Sequence, residues 1–90
     1  MLTKKQVISC ISKALKVPSN KININLSDKD FENWDSLGHL EILMNLDKAL
    51  KGKAIKISDL AQAHSIKKIF TVLKKNKLFY EIPLLIEGKL

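Results

Sequence analysis

The segment from Ser36 to Leu50 constrains the fold most, because apolar residues occur on almost every side of the helix that it predicts. At 3.6 residues per turn, one side carries a set that suffices for a core: Ile42, Leu43, Leu46, Ala49 and Leu50. A separate stripe at i, i+3 and i+7 spacing carries Leu37, Leu40 and Met44. An ordinary surface helix has one apolar stripe, so the second stripe requires cover from another element or from a partner.

Three further segments have helical character. The first begins at Thr3, which has capping-box spacing to Gln6. Its apolar face comprises Val7, Ile8, Cys10, Ile11, Ala14 and Leu15. Pro18 is expected to end this helix, because the residue before a proline is disfavoured in helical geometry.

Two helices are predicted after Gly52, which is expected to stop the central helix. Ser58 is a candidate N-cap for a short helix over residues 59–63, and Ser65 is expected to cap the last helix. The apolar face of that last helix comprises Ile66, Ile69, Phe70, Val72 and Leu73. Its lysines fall on the other side, towards solvent.

Residues 19–35 form a long connection rich in asparagine, which favours turns. Within it, Ile22, Ile24 and Leu26 alternate with polar residues, a pattern that is also typical of a strand. No second segment offers a partner strand, so we interpret these residues as anchors that hold the loop on a helical core. Phe31 and Trp34 are expected to act in the same way.

The composition fits a single helical domain. Ninety residues bury one modest core, and only three are glycine and two are proline. We therefore predict an all-α bundle of three longer helices and one short helix, with a long loop between the first two. Residues 1–77 form the domain, and residues 78–90 form an apolar tail that is expected to pack across it. No apolar run is long enough for a membrane span, and a single cysteine, Cys10, suits a reducing cytoplasm.

The net charge of +7 is unevenly distributed. Residues 26–47 hold six acidic residues against Lys29, whereas lysines dominate the segments on either side. All basic residues are lysine. Arginine makes the bidentate hydrogen bonds that recognise guanine and bind phosphate, so its absence argues against nucleic-acid binding. A basic helical module that binds nucleic acid or an anionic surface remains the alternative interpretation.

The residues Trp34-Asp35-Ser36-Leu37 place a serine between the acidic loop and the first turn of the central helix. On its own, this serine is most simply an N-cap. Asp35-Ser36-Leu37 followed by Gly38-His39-Leu40-Glu41, together with the four-element layout over about residues 3–76, resembles the phosphopantetheine attachment region of acyl and peptidyl carrier proteins.

The resemblance implies a small four-helix carrier-protein bundle that is not an enzyme. Ser36 would receive 4′-phosphopantetheine from coenzyme A through a phosphopantetheinyl transferase, and the arm would carry an acyl or aminoacyl thioester. Asp35 and Leu37 match positions at which the family recruits the transferase. Leu37, Leu40, Glu41 and Met44 match positions that partner enzymes contact. For Asp35 a capping role is an equal alternative, and core burial is the alternative for the apolar residues.

The resemblance also implies a loading ligase and acyl-transferring enzymes as partners of a monomeric carrier. Typical fatty-acid carriers are strongly acidic, whereas Gly38, Asn45 and Lys48 leave this helix with only Glu41 and Asp47. A specialised pathway therefore fits better than general fatty-acid synthesis. A carrier-like scaffold that has lost modification is a third interpretation, although Asp35 and Ser36 are both intact.

Two other patterns are weaker evidence for a functional site. His39 follows Ser36 by three residues, but a hydrolase would need a third residue and an oxyanion site, neither of which is apparent. Asp28-Lys29-Asp30 begins like a calcium loop, yet it lacks the glycine at the sixth position and the glutamate at the twelfth. We expect no metal site, and we expect Cys10 to be a small buried hydrophobe.

Overall fold

A computed structural model describes residues 2–79. Over these residues the chain forms four α-helices and no strand: α1 (Lys4–Leu15), α2 (Ser36–Ala49), α3 (Ser58–Ala61) and α4 (Ile66–Lys75). Short 3₁₀ turns occupy Ser19–Lys21 and Asp28–Asp30. The predicted all-α class, with three longer helices and one short helix, is confirmed. No helix among the described residues has the length and apolar character needed to cross a bilayer.

Helix α1 begins as predicted and ends differently. The Thr3 hydroxyl accepts the Gln6 amide at 3.2 Å, and the Gln6 side chain accepts the Thr3 amide at 2.9 Å, which completes the capping box. The helix ends at Leu15 because Lys16 adopts a left-handed conformation with φ of 59°. The prediction that Pro18 ends it was therefore wrong: a local left-handed residue stops the helix before the proline can.

Helix α2 lies against α1, and Ile42, Leu46 and Leu50 are buried in the shared core. Leu43 is half-buried against the same core. Ala49, predicted on this face, is exposed at the last residue of the helix, although Leu50 after it is buried. The second stripe is exposed, so no element among the described residues supplies the cover that its apolar character was expected to require.

The end of α2 is a double left-handed turn. Lys51 and Gly52 have φ of 56° and 88°, and the Gly52 amide donates to the Asp47 carbonyl at 2.8 Å. The Lys51 amide donates to the Lys48 carbonyl at 3.3 Å, which completes a Schellman motif. Gly52 thus belongs to the helix stop, as predicted, but Lys51 is the first left-handed residue.

The last two helices close the bundle. Helix α3 spans Ser58–Ala61, so Ser58 is its first residue and not the predicted N-cap, a position that Ile57 occupies without a side-chain hydrogen bond. Ser65 caps α4 through its hydroxyl, which accepts the Lys68 amide at 3.1 Å. The predicted apolar face of α4 is buried in full: Ile66, Ile69, Phe70, Val72 and Leu73.

The predicted C-terminal tail can be described only at its start. Leu78 and Phe79 are half-buried, and the Leu2 amide donates to the Leu78 carbonyl at 2.8 Å. Phe79 meets Phe70 edge-on with ring centroids 4.9 Å apart. The packing predicted for the rest of the tail concerns residues 80–90, which lie outside the described residues.

The connection between α1 and α2 is anchored at both ends. Ile22 and Trp34 are buried, and Leu26 and Phe31 are half-buried, as predicted for anchors. Ile24 is 47% exposed, so its assignment as an anchor was wrong. It lies in a turn that the Leu26 amide closes by donating to the Asn23 carbonyl at 3.2 Å, so the alternation of an extended segment does not hold there.

Hydrogen bonds complete this anchoring. The Asn33 side chain donates to the Leu15 carbonyl at 2.9 Å, which joins the loop to the end of α1. The Ile66 amide donates to the Leu26 carbonyl at 2.9 Å, which joins it to the start of α4. The loop is thus fixed to the end of α1 and to the start of α4.

Gly38 allows the loop to lie directly on α2. A Cβ at this position would lie 1.9 Å from the Asn33 carbonyl oxygen, far inside van der Waals contact. The obstructing atom is backbone, so it cannot rotate away. Any larger residue would have to displace the segment that leads into Ser36.

We expect Gly38→Ala to lower the free energy of unfolding by about 3 kcal/mol, because overpacking against backbone forces the loop to move. Gly52→Ala is the control. A Cβ added to Gly52 would have no atom within 4 Å, so only the left-handed backbone opposes alanine there. That change is expected to cost about 1 kcal/mol. Urea denaturation measures both values, and equal losses would contradict the close approach at Gly38.

Candidate functional site

Ser36 is the first residue of α2, and its side chain is exposed. The N-cap is Asp35, whose carboxylate accepts the Gly38 amide at 2.9 Å. Ser36 is therefore not the N-cap that its residue type alone would suggest. Its hydroxyl has no hydrogen-bond partner among residues 2–79, so it is free to react or to bind.

The residues before Ser36 are fixed by a buried pair of side chains. The Trp34 indole N–H donates to Nδ1 of His39 at 2.9 Å, and the two rings lie nearly parallel with centroids 6.0 Å apart. Trp34 is 4% exposed and His39 is 6% exposed. This contact joins the loop to the first turn of α2 across Asp35 and Ser36, so the position of the serine is defined on both sides.

Both ring nitrogens of His39 are occupied. Nε2 lies 2.9 Å from the Leu60 carbonyl oxygen, which can only accept, and Nδ1 accepts from Trp34. The neutral Nε2–H tautomer satisfies both contacts. His39 consequently has no free nitrogen with which to activate Ser36, and a Ser–His arrangement is not formed between them.

The ionisable neighbours of His39 come from the loop and from the α3–α4 connection. The His64 ring lies 4.5 Å from the His39 ring, and Nδ1 of His64 lies 3.9 Å from an Asp28 carboxylate oxygen. Burial lowers the pKa of His39, and the proximity of His64 adds to this effect. Its bond to the Leu60 carbonyl and the charge of Asp28 act in the opposite direction.

The predicted partner-binding residues lie together on the outer side of α2. Leu37 is 65% exposed, Leu40 is 45% exposed and Met44 is 51% exposed. Glu41, on the same side, is half-buried. The alternative of core burial is therefore wrong for all three apolar residues, since other residues of α2 fill the core.

Within residues 2–79, neither Cys10 nor the acidic loop forms a reactive thiol site or a metal site. Cys10 is half-buried, and its backbone carbonyl accepts the Asn45 side chain at 3.1 Å. Burial raises the pKa of its thiol, and the nearby charge of Lys13 opposes this effect. Among residues 2–79, no group of three or more potential ligands is arranged to hold a metal ion.

Sequence reasoning missed the residues that position Ser36. The mutual contact of Trp34 and His39 and the need for glycine at position 38 depend on how the loop crosses α2. Asn33 was counted only as part of an irregular loop, yet its side chain joins the loop to α1. A tryptophan and a histidine five residues apart across a helix start are the one sequence signal for this arrangement.

Comparisons with protein-family models, with curated proteins and with solved structures find no match to this chain.

The Trp34–His39 contact predicts acid sensitivity. The folded state holds His39 neutral with a pKa below the value of about 6.5 found in unfolded chains. The unfolded state thus binds more protons in acid, so stability is fully present above about pH 6.5 and falls as the pH drops towards the folded-state pKa. Urea denaturation followed by fluorescence of Trp34, the single tryptophan, measures this slope.

His39→Gln is expected to lower stability near neutral pH and to flatten the acid slope below about pH 6.5, because glutamine does not titrate. His64→Gln is the comparison: His64 is exposed, and its proximity only adds to the lowering of the His39 pKa, so this change should weaken the slope less than His39→Gln does. An unchanged slope in His39→Gln would contradict the assignment of the acid sensitivity to this contact.

Proposed function

We propose that this protein is an acyl or peptidyl carrier that receives 4′-phosphopantetheine on Ser36. The observation that carries the proposal is the exposed hydroxyl of Ser36 at the first residue of α2, which has no hydrogen-bond partner among residues 2–79. It lies within a Trp-Asp-Ser-Leu segment that is fixed on both sides, and this segment resembles the attachment motif of the carrier family. The proposal includes a carrier-type bundle as the specific form of the observed all-α fold.

The start of α2 suits a phosphodiester. The carboxylate of Asp35 caps the Gly38 amide, and the His39 amide donates to the Asp35 carbonyl at 2.8 Å. The amides of Ser36 and Leu37 have no acceptor among the described residues, as expected for the first turn of a helix. Free amides and the positive end of the helix dipole favour an anion attached at this position.

In the proposed modification, the Ser36 oxygen forms a bond to the phosphorus that carries the pantetheine arm of coenzyme A. The pyrophosphate bond breaks, adenosine 3′,5′-bisphosphate leaves, and the serine proton is released. The arm supplies a terminal thiol that carries acyl or aminoacyl groups as thioesters. The protein itself holds and presents the arm, and tethering raises the effective concentration of the cargo at a bound enzyme.

The proposed partners are a phosphopantetheinyl transferase, a loading ligase and acyl-transferring enzymes of a specialised pathway. The exposed residues Leu37, Leu40 and Met44 give these enzymes an apolar contact surface beside Ser36, and Glu41 borders it. Exposed apolar side chains clustered on one helix face are typical of a binding surface.

Intact-protein mass spectrometry tests the proposal. The protein is incubated with coenzyme A, Mg²⁺ and a broad-specificity phosphopantetheinyl transferase, and we expect a gain of one phosphopantetheine. Ser36→Ala should show no gain. Ser58→Ala is the matched control, because Ser58 is also an exposed serine at the first residue of a helix. This variant should gain one phosphopantetheine, like the wild type. A folded wild-type protein that several transferases leave unmodified would contradict the proposal.

Asp35 has two separable roles in this proposal. Asp35→Asn keeps a good capping side chain and removes the charge, so stability should stay within a few tenths of a kcal/mol of the wild type. If the charge recruits the transferase, its kcat/KM should fall about tenfold, because hydrogen bonds to charged groups contribute about 1.5 kcal/mol or more.

Asp35→Ala removes both roles and should also lower the free energy of unfolding by about 1 kcal/mol. Urea denaturation and transferase kinetics on both variants separate the two effects. Wild-type modification kinetics in Asp35→Asn would contradict the recruitment role and leave only the cap.

A further inference from the structure

The acidic residue near the end of α2 is engaged within the fold. One carboxylate oxygen of Asp47 accepts the backbone amides of Ala54 at 3.1 Å and Ile55 at 2.9 Å. Asp47 is half-buried, and it holds the loop that follows α2 against the helix. Its carboxylate is therefore an internal anchor of that loop and is poorly placed to attract a basic partner.

The bond between the Ile55 amide and Asp47 adds an exposed apolar residue of the loop to the exposed apolar residues of α2. Ile55 is 56% exposed and lies beside Asp47, which follows Met44 by about one helical turn. With the exposed residues of α2 it forms an apolar surface, here called the docking stripe, comprising Leu37, Leu40, Met44 and Ile55. The stripe runs from Ser36 towards the C-terminal end of α2.

In the chain, lysines lie on both sides of Ile55, at the far end of this stripe. Four exposed lysines, here called the lysine rim, lie on the last turns of α2 and on the following loop: Lys48, Lys51, Lys53 and Lys56. None of them forms an ion pair with any residue in the described range 2–79. Of the carboxylates on the same side, those of Asp35 and Glu41 lie nearer to Ser36, whereas that of Asp47 at the far end is bonded to two backbone amides. The face is thus acidic at the serine end and basic at the other end.

We propose that the enzymes acting on Ser36 bind the docking stripe with an apolar patch whose border is acidic where it meets the lysine rim. This inference rests on the proposed carrier function and names the charge of its partners. Complementary charges steer association and set orientation, whereas like charges in contact exclude the wrong partner. An enzyme with a uniformly basic carrier-binding surface would meet the lysine rim with repulsion.

The two-signed charge pattern favours a protein partner over a polyanion. A nucleic acid or an anionic bilayer presents negative charge along the whole contact, and it would repel Asp35 and Glu41 at the serine end. A protein surface can present both signs at the required positions. The contact also needs apolar area for the four exposed side chains of the stripe, which a protein patch supplies.

The test compares two phosphopantetheinyl transferases, one with an acidic and one with a basic carrier-binding surface. Their kcat/KM values are measured for the wild type and for a rim variant that combines Lys48→Glu, Lys51→Glu, Lys53→Glu and Lys56→Glu. The matched control changes four exposed lysines of α1 and α4 by the same total charge: Lys4→Glu, Lys5→Glu, Lys13→Glu and Lys67→Glu. Circular dichroism confirms that each variant is folded.

We expect the acidic-surface transferase to be favoured at low salt, and the rim variant to lose about tenfold or more in kcat/KM with it, because charge complementarity acts mainly on association. The control variant should retain most of the wild-type value. An unchanged preference in the rim variant, or an equal loss in the control variant, would overturn the inference while leaving the carrier function intact.

Two further outcomes distinguish failure of the proposed function from failure of this inference alone. Modification of no variant by either transferase would contradict the proposed function itself, and this inference with it. Binding of the unmodified protein to phosphatidylglycerol vesicles that the rim variant loses, with no change in transferase preference, would overturn the inference in favour of a lipid surface.

Discussion

The close contact between the Asn33 carbonyl and Gly38 is the constraint on which the rest of the site depends. Because residue 38 has no side chain, the loop can lie on the first turn of α2. That position brings the Trp34 indole to His39 and places Asp35 where its carboxylate caps the helix. The Ser36 hydroxyl then has nothing left to bond among the described residues.

In the same arrangement, the residues of α2 that support the fold lie on its inner side, and its exposed apolar residues lie on its outer side. The inner side of α2 is occupied by the core and by His39, whereas the outer side has no covering element among the described residues. Asp47 holds the following loop through two amides, which leaves the lysines of that loop free of ion pairs with the described residues. Under the proposed function, Gly38 and His39 on the inner side of α2 position the serine, and the exposed residues on its outer side contact partners.

The helices and their faces could be predicted from the sequence because periodicity and capping are local properties. Spacing along the chain predicted the capping box at Thr3, the cap at Ser65 and the separate position of the second apolar stripe on α2. The errors occur where a backbone conformation or a tertiary neighbour decides the outcome. Lys16 takes a left-handed conformation before Pro18 is reached, and Ile24 points outward from a loop whose apolar residues were expected to be anchors.

The sequence predicted an exposed serine at the start of α2, but not the contacts that hold it in place. Residue type and position pointed to Ser36, but no periodic pattern shows that Asn33 must approach Gly38 or that Asp47 will bind the amides of a later loop. Such contacts join segments that are irregular in sequence. The sequence shows Asp47 only as an acidic residue of the central helix, and the folded chain shows its carboxylate bonded to the loop.

The most direct measurement is tandem mass spectrometry of the Ser36 peptide from protein isolated from its own cells, with no enzyme added. The account predicts a phosphopantetheine on Ser36, with part of the population carrying an acyl or aminoacyl group on the thiol. An unmodified Ser36 in every preparation of the folded native protein would contradict it.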